Sequence, residues 1–282
     1  MIRTPPGWSA DIVTRTYHFI VQAGPAQGDR DSVVPVPRII GLADLRWALA
    51  RGVEDFRESR TDVIFLCLIY PLVGLLLARL ASGYGLLPLL FPLASGFALV
   101  GPLAAVGLNE MSRRREMGMR ASWADAFGVF GSRQIGGIVL LGGILLFMLL
   151  FWLVASEMVY ELTLGPKPPV SFGSFAHDVI ATPAGWTMVA VGVGIGFVLA
   201  VVALTISVVS FPMLLDRNVS LGTAVQTSVR VVARNPMTIA AWGLIIVAGL
   251  ILGSIPLLLG LAVVMPVLGH ATWHLYRRVV PR

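Results

Sequence analysis

Between Met237 and Gly269 the chain runs for 33 residues without a charged side chain. As a helix rising ~1.5 Å per residue this stretch is ~50 Å long, well beyond the ~30 Å hydrocarbon layer of a bilayer. A water-facing helix needs a polar face, and this one has none. Residues 61–81, 86–108, 135–155 and 186–211 are almost as apolar. In lipid each backbone polar group must be paired within its own segment, so such stretches are helical. Of 282 residues, 13% are charged and 56% apolar. A soluble domain carries about a quarter charged. The expected class is therefore an all-α integral membrane protein.

Gly253-Ser-Ile-Pro256 interrupts the longest stretch and divides it into spans at about 237–253 and 256–276. That makes six transmembrane helices, paired by short turns into three hairpins. Pro88, Pro92 and Pro102 kink or interrupt the second span. Each hairpin follows a segment with helical apolar spacing. In 42–58 the apolar positions are Leu45, Ala48, Leu49, Val53 and Phe56. Residues 121–132 open with Ser122-Trp-Ala-Asp125, which resembles a capping box. In 220–234 the expected inward face is Leu221, Val225, Val229 and Val232. All three are expected to be interfacial amphipathic helices on the cytoplasmic rim. A basic loop at 112–116 and a long polar connection at 156–185 complete the plan. Residues 1–36, punctuated by proline, are expected to form a flexible cytoplasmic tail, and 37–282 the six-helix transmembrane domain.

The net charge of +6 and a pI near 10.2 invite a nucleic-acid reading, but the distribution removes it. With six spans, 19 of the 21 Lys and Arg residues fall on one side, and only Arg79 and Lys167 fall on the other. The positive-inside rule then places both termini in the cytoplasm. The expected partner of this basic rim is a bilayer with anionic headgroups, and no nucleic acid. Cys67 is the single cysteine and lies within an apolar stretch, so it reads as a small buried hydrophobe.

Chemistry-bearing motifs are scarce. There is no G-x-x-x-x-G-K-[ST], H-E-x-x-H or G-x-S-x-G, so no catalysis and no cofactor are expected. His270 and His274 are the one histidine pair at ligand spacing, four residues apart on one helical face. They are the candidate metal residues, with Glu110 a possible third ligand. The alternative is that both rings hydrogen-bond backbone while Trp273 and Tyr276 anchor the helix end in the interface. Gly192-x-x-x-Gly196-x-x-x-Ala200 and Gly249-x-x-x-Gly253 permit close helix approach, expected within the chain. The spans carry no acidic residue at mid-membrane, which counts against an ion-coupled transporter.

Three stretches resemble a known family: 60–71 (Arg-Thr-Asp-Val-Ile-Phe-Leu-Cys-Leu-Ile-Tyr-Pro), 101–115 with Glu110 and Arg113-Arg-Arg115, and Gly269-His-Ala-Thr-Trp-His-Leu-Tyr-Arg277. They look like the bacterial integral membrane proteins grouped as domain of unknown function 2189. The likeness extends over roughly 37–280. Some members are labelled putative cytochrome c oxidase protein, and the family has no established functional residues to carry over. The resemblance implies a multi-pass protein of the bacterial inner membrane. The expected function is a non-catalytic accessory or assembly component of a membrane complex, such as a respiratory cytochrome oxidase. The alternative is a small transporter or lipid-handling protein.

Overall fold

A computed structural model describes residues 34–67, 72, 74–76, 79, 87–119, 121–256 and 258–281. Among these every regular element is helical. Residues 68–71, 73, 77, 78, 80 and 81 of the first expected span, and all but the end of the expected tail, lie outside the described residues.

Residues 37–41 are pinned before the first helix begins. Arg38 N–H donates to the Val279 carbonyl at 2.8 Å, and Ile40 N–H donates to Asn235 Oδ1 at 2.8 Å. Helix α1, Leu42–Cys67, then runs without a break through the boundary expected near residue 60. Leu45, Ala48 and Phe56 are buried, as their spacing requires. α1 lies along α10, Leu261–Val279, and the two cross closely at Gly52. A Cβ there would come within 2.7 Å of the Val267 carbonyl oxygen and 2.8 Å of the Ala271 Cβ.

After a 3-10 turn at Leu87–Leu89 come α2, Leu90–Ala104, and α3, Val106–Glu116. The expected kink is present: Leu87–Gly96 and Ala98–Ala104 meet at 41°. The expected basic loop at 112–116 is not a loop. It is the last turns of α3, because Leu108 and Met111 are buried and Glu110 pairs along the helix with Arg113 and Arg114. The 121–132 segment is a 3-10 helix at Trp123–Gly131, with Ser122 N–H donating to Asp125 Oδ2 at 2.8 Å.

Helix α4, Ile135–Thr163, continues two turns past the expected end of its span. Buried Trp152 and Tyr160 hold the extension, and Gly165 at φ +100° ends it. The 156–185 connection therefore contains the end of α4 and a further helix, α5, Phe172–Ala181. Next come α6, Pro183–Ser207, with Thr182 Oγ1 accepting from Gly185 N–H at 2.9 Å, and the short α7, Ser210–Asp216.

Helix α8, Leu221–Arg234, buries Ala224, Thr227, Ser228 and Val231; of the expected face Leu221, Val225 and Val232 are half-buried against the core and Val229 is exposed. Small side chains let α8 approach α6, where Ser228 Oγ donates to the Thr205 carbonyl at 2.7 Å. Helix α9, Pro236–Ser254, ends at the expected break. Its glycines face α10, since a Cβ at Gly249 would meet Val264 and one at Gly253 would meet Leu261.

Three described stretches are long and apolar enough to cross a membrane: Ile135–Thr163, Pro183–Asp216 and Pro236–Ser254. The bent Leu87–Ala104 pair makes a fourth if taken as one span. The fold is thus an all-helical membrane architecture with three or four candidate spans.

Candidate functional site

The last apolar turns of α10 lead into His270, Trp273, His274 and Arg277, all within one helical stripe. This stripe packs against α1 and α3, and a polar cluster forms where the three helices meet. Asp55 of α1 is its hub. Its Oδ2 accepts from Ser112 Oγ at 2.6 Å and lies 2.9 Å from His274 Nε2. Ser112 Oγ is also 2.8 Å from His270 Nδ1. Arg115 closes the fourth side, donating to the Asp55 carbonyl at 2.8 Å and pairing with Glu58.

The cluster is sealed. His270 is fully buried and Ser112 is 1% exposed. Burial works against the Asp55 carboxylate, but hydrogen bonds from His274 and Ser112, helped by the imidazole charges, prevail and hold it below the usual range. His270 Nε2 is buried without a hydrogen-bond partner among the described residues. Beyond the hub, Arg277 bridges Glu116 at 2.9 Å and Asp216 at 3.1 Å. Trp273 Nε1 donates to Glu116 at 2.9 Å, and the Tyr276 hydroxyl donates to Asp216 at 2.6 Å. Arg114 spans Glu110 and Asp125. Arg113 and Arg114 likewise outweigh burial at Glu110 and lower its pKa.

A serine, a carboxylate and two imidazoles in contact invite comparison with a catalytic triad, and the connectivity differs. In a triad the carboxylate orients the imidazole that holds the serine, from the far ring nitrogen. Here the Ser112 hydroxyl hydrogen goes to Asp55 itself. His270 Nδ1 holds Ser112 and lies 4.0 Å from Asp55, while its far nitrogen meets no carboxylate. The set joins helices.

His270 and His274 do share a face, as their spacing implies, and each has a ring nitrogen directed to a side chain. Glu110 is bound to arginines and takes no part with them. Among the described residues no three His, Cys, Asp or Glu side chains are placed to hold a metal ion. Trp273 and Tyr276 are also not interfacial anchors, being 1% and 0% exposed. Asp55 and Ser112 are the members that sequence reasoning missed. Asp55 lies on the flank of the apolar stripe of α1, close to Ala48 on the helical wheel, and that position is its one sequence signal.

At the other end of α4 lies a second feature, a half-open pocket of about 360 Å³. Leu87, Phe91, Trp152, Phe172, Phe175 and Met188 form much of its wall, with α5 as cap. Its polar side chains are satisfied within the protein. Trp152 Nε1 donates to the Pro92 carbonyl at 3.1 Å, Ser156 Oγ to the Trp152 carbonyl at 2.7 Å, and Tyr160 to the Lys167 carbonyl at 2.7 Å.

Residues 90–216 match the family model described as "Predicted integral membrane protein (DUF2189)". Over this stretch the chain is similar to that family. The match runs from α2 to α7 and so includes Ser112, the arginine run and the pocket's α4 and α6 walls. Asp55 and the histidine motif of α10 lie outside it. No curated protein and no solved structure matches the chain.

Proposed function

We propose that this integral membrane protein is a non-catalytic component of the bacterial inner membrane that works by contact with another membrane complex, a respiratory oxidase being the first to examine. The observation that carries the reading is the closure of the Asp55–Ser112–His270–His274 cluster. This cluster is 0–8% exposed, and all its buried side-chain polar atoms but His270 Nε2 are engaged in fastening α1, α3 and α10. What remains available is apolar lateral surface on α4, α6 and α9. Gentle detergent extraction followed by identification of co-purifying proteins tests it. A reproducible membrane complex is expected, and repeated recovery of the protein alone would end the docking reading.

The charge split supports six spans with both termini cytoplasmic. Single cysteines at Arg114 and Lys167, in a Cys67→Ser background, are expected to label from opposite sides of the membrane. Labelling from the same side would refute this topology.

A second reading, a lipid-handling protein, is favoured by the apolar pocket. A wall without free polar groups suits hydrocarbon better than an ion or a polar solute. Liposome uptake assays with the purified protein address the transporter form of this alternative.

A further inference from the structure

The pocket's wall and one orphaned carboxylate beside it point to the same kind of ligand. Glu157 Oε2 is buried and has no hydrogen-bond partner among the described residues. A buried acceptor left unpaired is costly, and an unpaired carboxylate oxygen more so. Glu157 follows pocket-lining Ser156 and stands three residues, one helical turn, before pocket-lining Tyr160. Glu161, one turn further along α4, and Asp178 of α5 are two more carboxylates close by. Lys167, the one lysine of the chain, is exposed and follows shortly after the turn at Gly165.

We infer that the pocket under α5 holds one hydrocarbon chain of an amine-bearing phospholipid, with the headgroup ammonium at Glu157 and Glu161 and the phosphate toward Lys167. The volume of about 360 Å³ lies within the ~300–1,000 Å³ of ligand pockets. The aromatic and aliphatic wall, its polar atoms already bonded inward, offers a hydrocarbon chain apolar contact and nothing else. Three acidic side chains against one lysine repel a wholly anionic headgroup and attract a primary ammonium, which also supplies the donor that Glu157 lacks. The inference deepens the lipid-handling reading and is independent of docking. It concerns retention of a lipid, so a failed transport assay does not bear on it.

Gly192 provides the decisive variant. It lines the pocket, and a Cβ built on it meets nothing within 4 Å, so Gly192→Leu starts its side chain from open space at the pocket wall. Leucine is also the better helix former, and α6 should remain folded. Protein from detergent is exchanged with dioleoyl phosphatidylethanolamine or dioleoyl phosphatidylglycerol and examined by native mass spectrometry, with thermal unfolding as the control for folding. The expected result is one retained phosphatidylethanolamine, favoured over phosphatidylglycerol by about tenfold. Gly192→Leu should lose it at an unchanged unfolding temperature, and Glu157→Gln should lose the headgroup preference but keep a lipid. Equal retention by Gly192→Leu would overturn the site. Equal retention of the two lipids by the wild type, or a preference that survives Glu157→Gln, would overturn the headgroup assignment.

Discussion

Removing the Asp55 side chain is the sharpest test of the idea that the polar cluster fastens helices. Asp55→Ala deletes an acceptor used by Ser112 at 2.6 Å and by His274 at 2.9 Å. The carboxylate is 11% exposed, so water replaces little of what is lost. Hydrogen bonds to a charged group contribute about 1.5–3 kcal/mol each. Breaking a buried charged pair by removing one partner costs about 3–5 kcal/mol, and that range is the expectation here. For a domain of this size class, 1 kcal/mol moves the unfolding temperature by about 2–4 °C. Asp55→Ala should therefore lower it by about 6–20 °C in mild detergent, followed by tryptophan fluorescence. Asp55→Asn retains an acceptor and should lose less. Because Ser112 bonds Asp55 directly, Ser112→Ala in the Asp55→Ala background should cost at least about 1 kcal/mol less than in the wild type. A fall of less than about 2 °C for Asp55→Ala, or strict additivity with Ser112→Ala, would refute the clamp.

Acid should act on the same contacts. Asp55 and Glu110 have lowered folded pKa values, so their contribution is present above the unfolded carboxylate value of about 4 and is lost as pH falls through the lower folded values. Unfolding temperature is expected to drop steeply below about pH 4, and Asp55→Asn should flatten that drop; an identical profile for the variant would contradict it. At the α1–α10 crossing, Gly52→Leu drives its side chain into the Val267 carbonyl and Ala271, and overpacking of this kind costs about 1–3 kcal/mol. A Gly52→Leu protein as heat-stable as the wild type would show that the crossing is looser than described. Elemental analysis of the purified protein is expected to find no stoichiometric zinc, copper or haem iron. Stoichiometric metal that vanishes in a His270→Ala, His274→Ala double variant would reassign the pair.

Periodicity made the apolar face of α1 and the break after Gly253 readable, because both follow from local rules. Leu45, Ala48 and Phe56 had to share a side, and Pro256 could not continue α9 unperturbed. The arginine run was misread because its polarity resembles a loop. Only the packing of Leu108 and Met111 behind it, with Glu110 pairing along the helix, makes it α3. The α8 face was legible only in part, for the opposite reason. Valines outrank alanine and serine in hydropathy, yet close approach to α6 selects small side chains whatever their hydropathy. Asp55 and His274 are 219 residues apart, so no local pattern could join them. The histidine motif announced that something faces inward from α10, and its partners came from elements that only the tertiary fold brings near.

The two ends of the helices are built on different principles. At the charged end, α1, α3, α7 and α10 share buried side chains and a continuous set of ion pairs, so separating any one of them leaves several charges unpaired at once. At the pocket end, α5 contains no buried residue. It is held near α4 and α6 by Tyr160 bonding to the Lys167 carbonyl, by the Tyr160–Phe175 ring contact at 6.2 Å, and by Trp186 Nε1 donating to the Ile180 carbonyl at 3.0 Å. Local opening follows the least buried contact, so the free energy to lift α5 is far below that to part α1 from α10. An amphiphile entering from the bilayer would therefore meet its lowest barrier at the cap of the pocket.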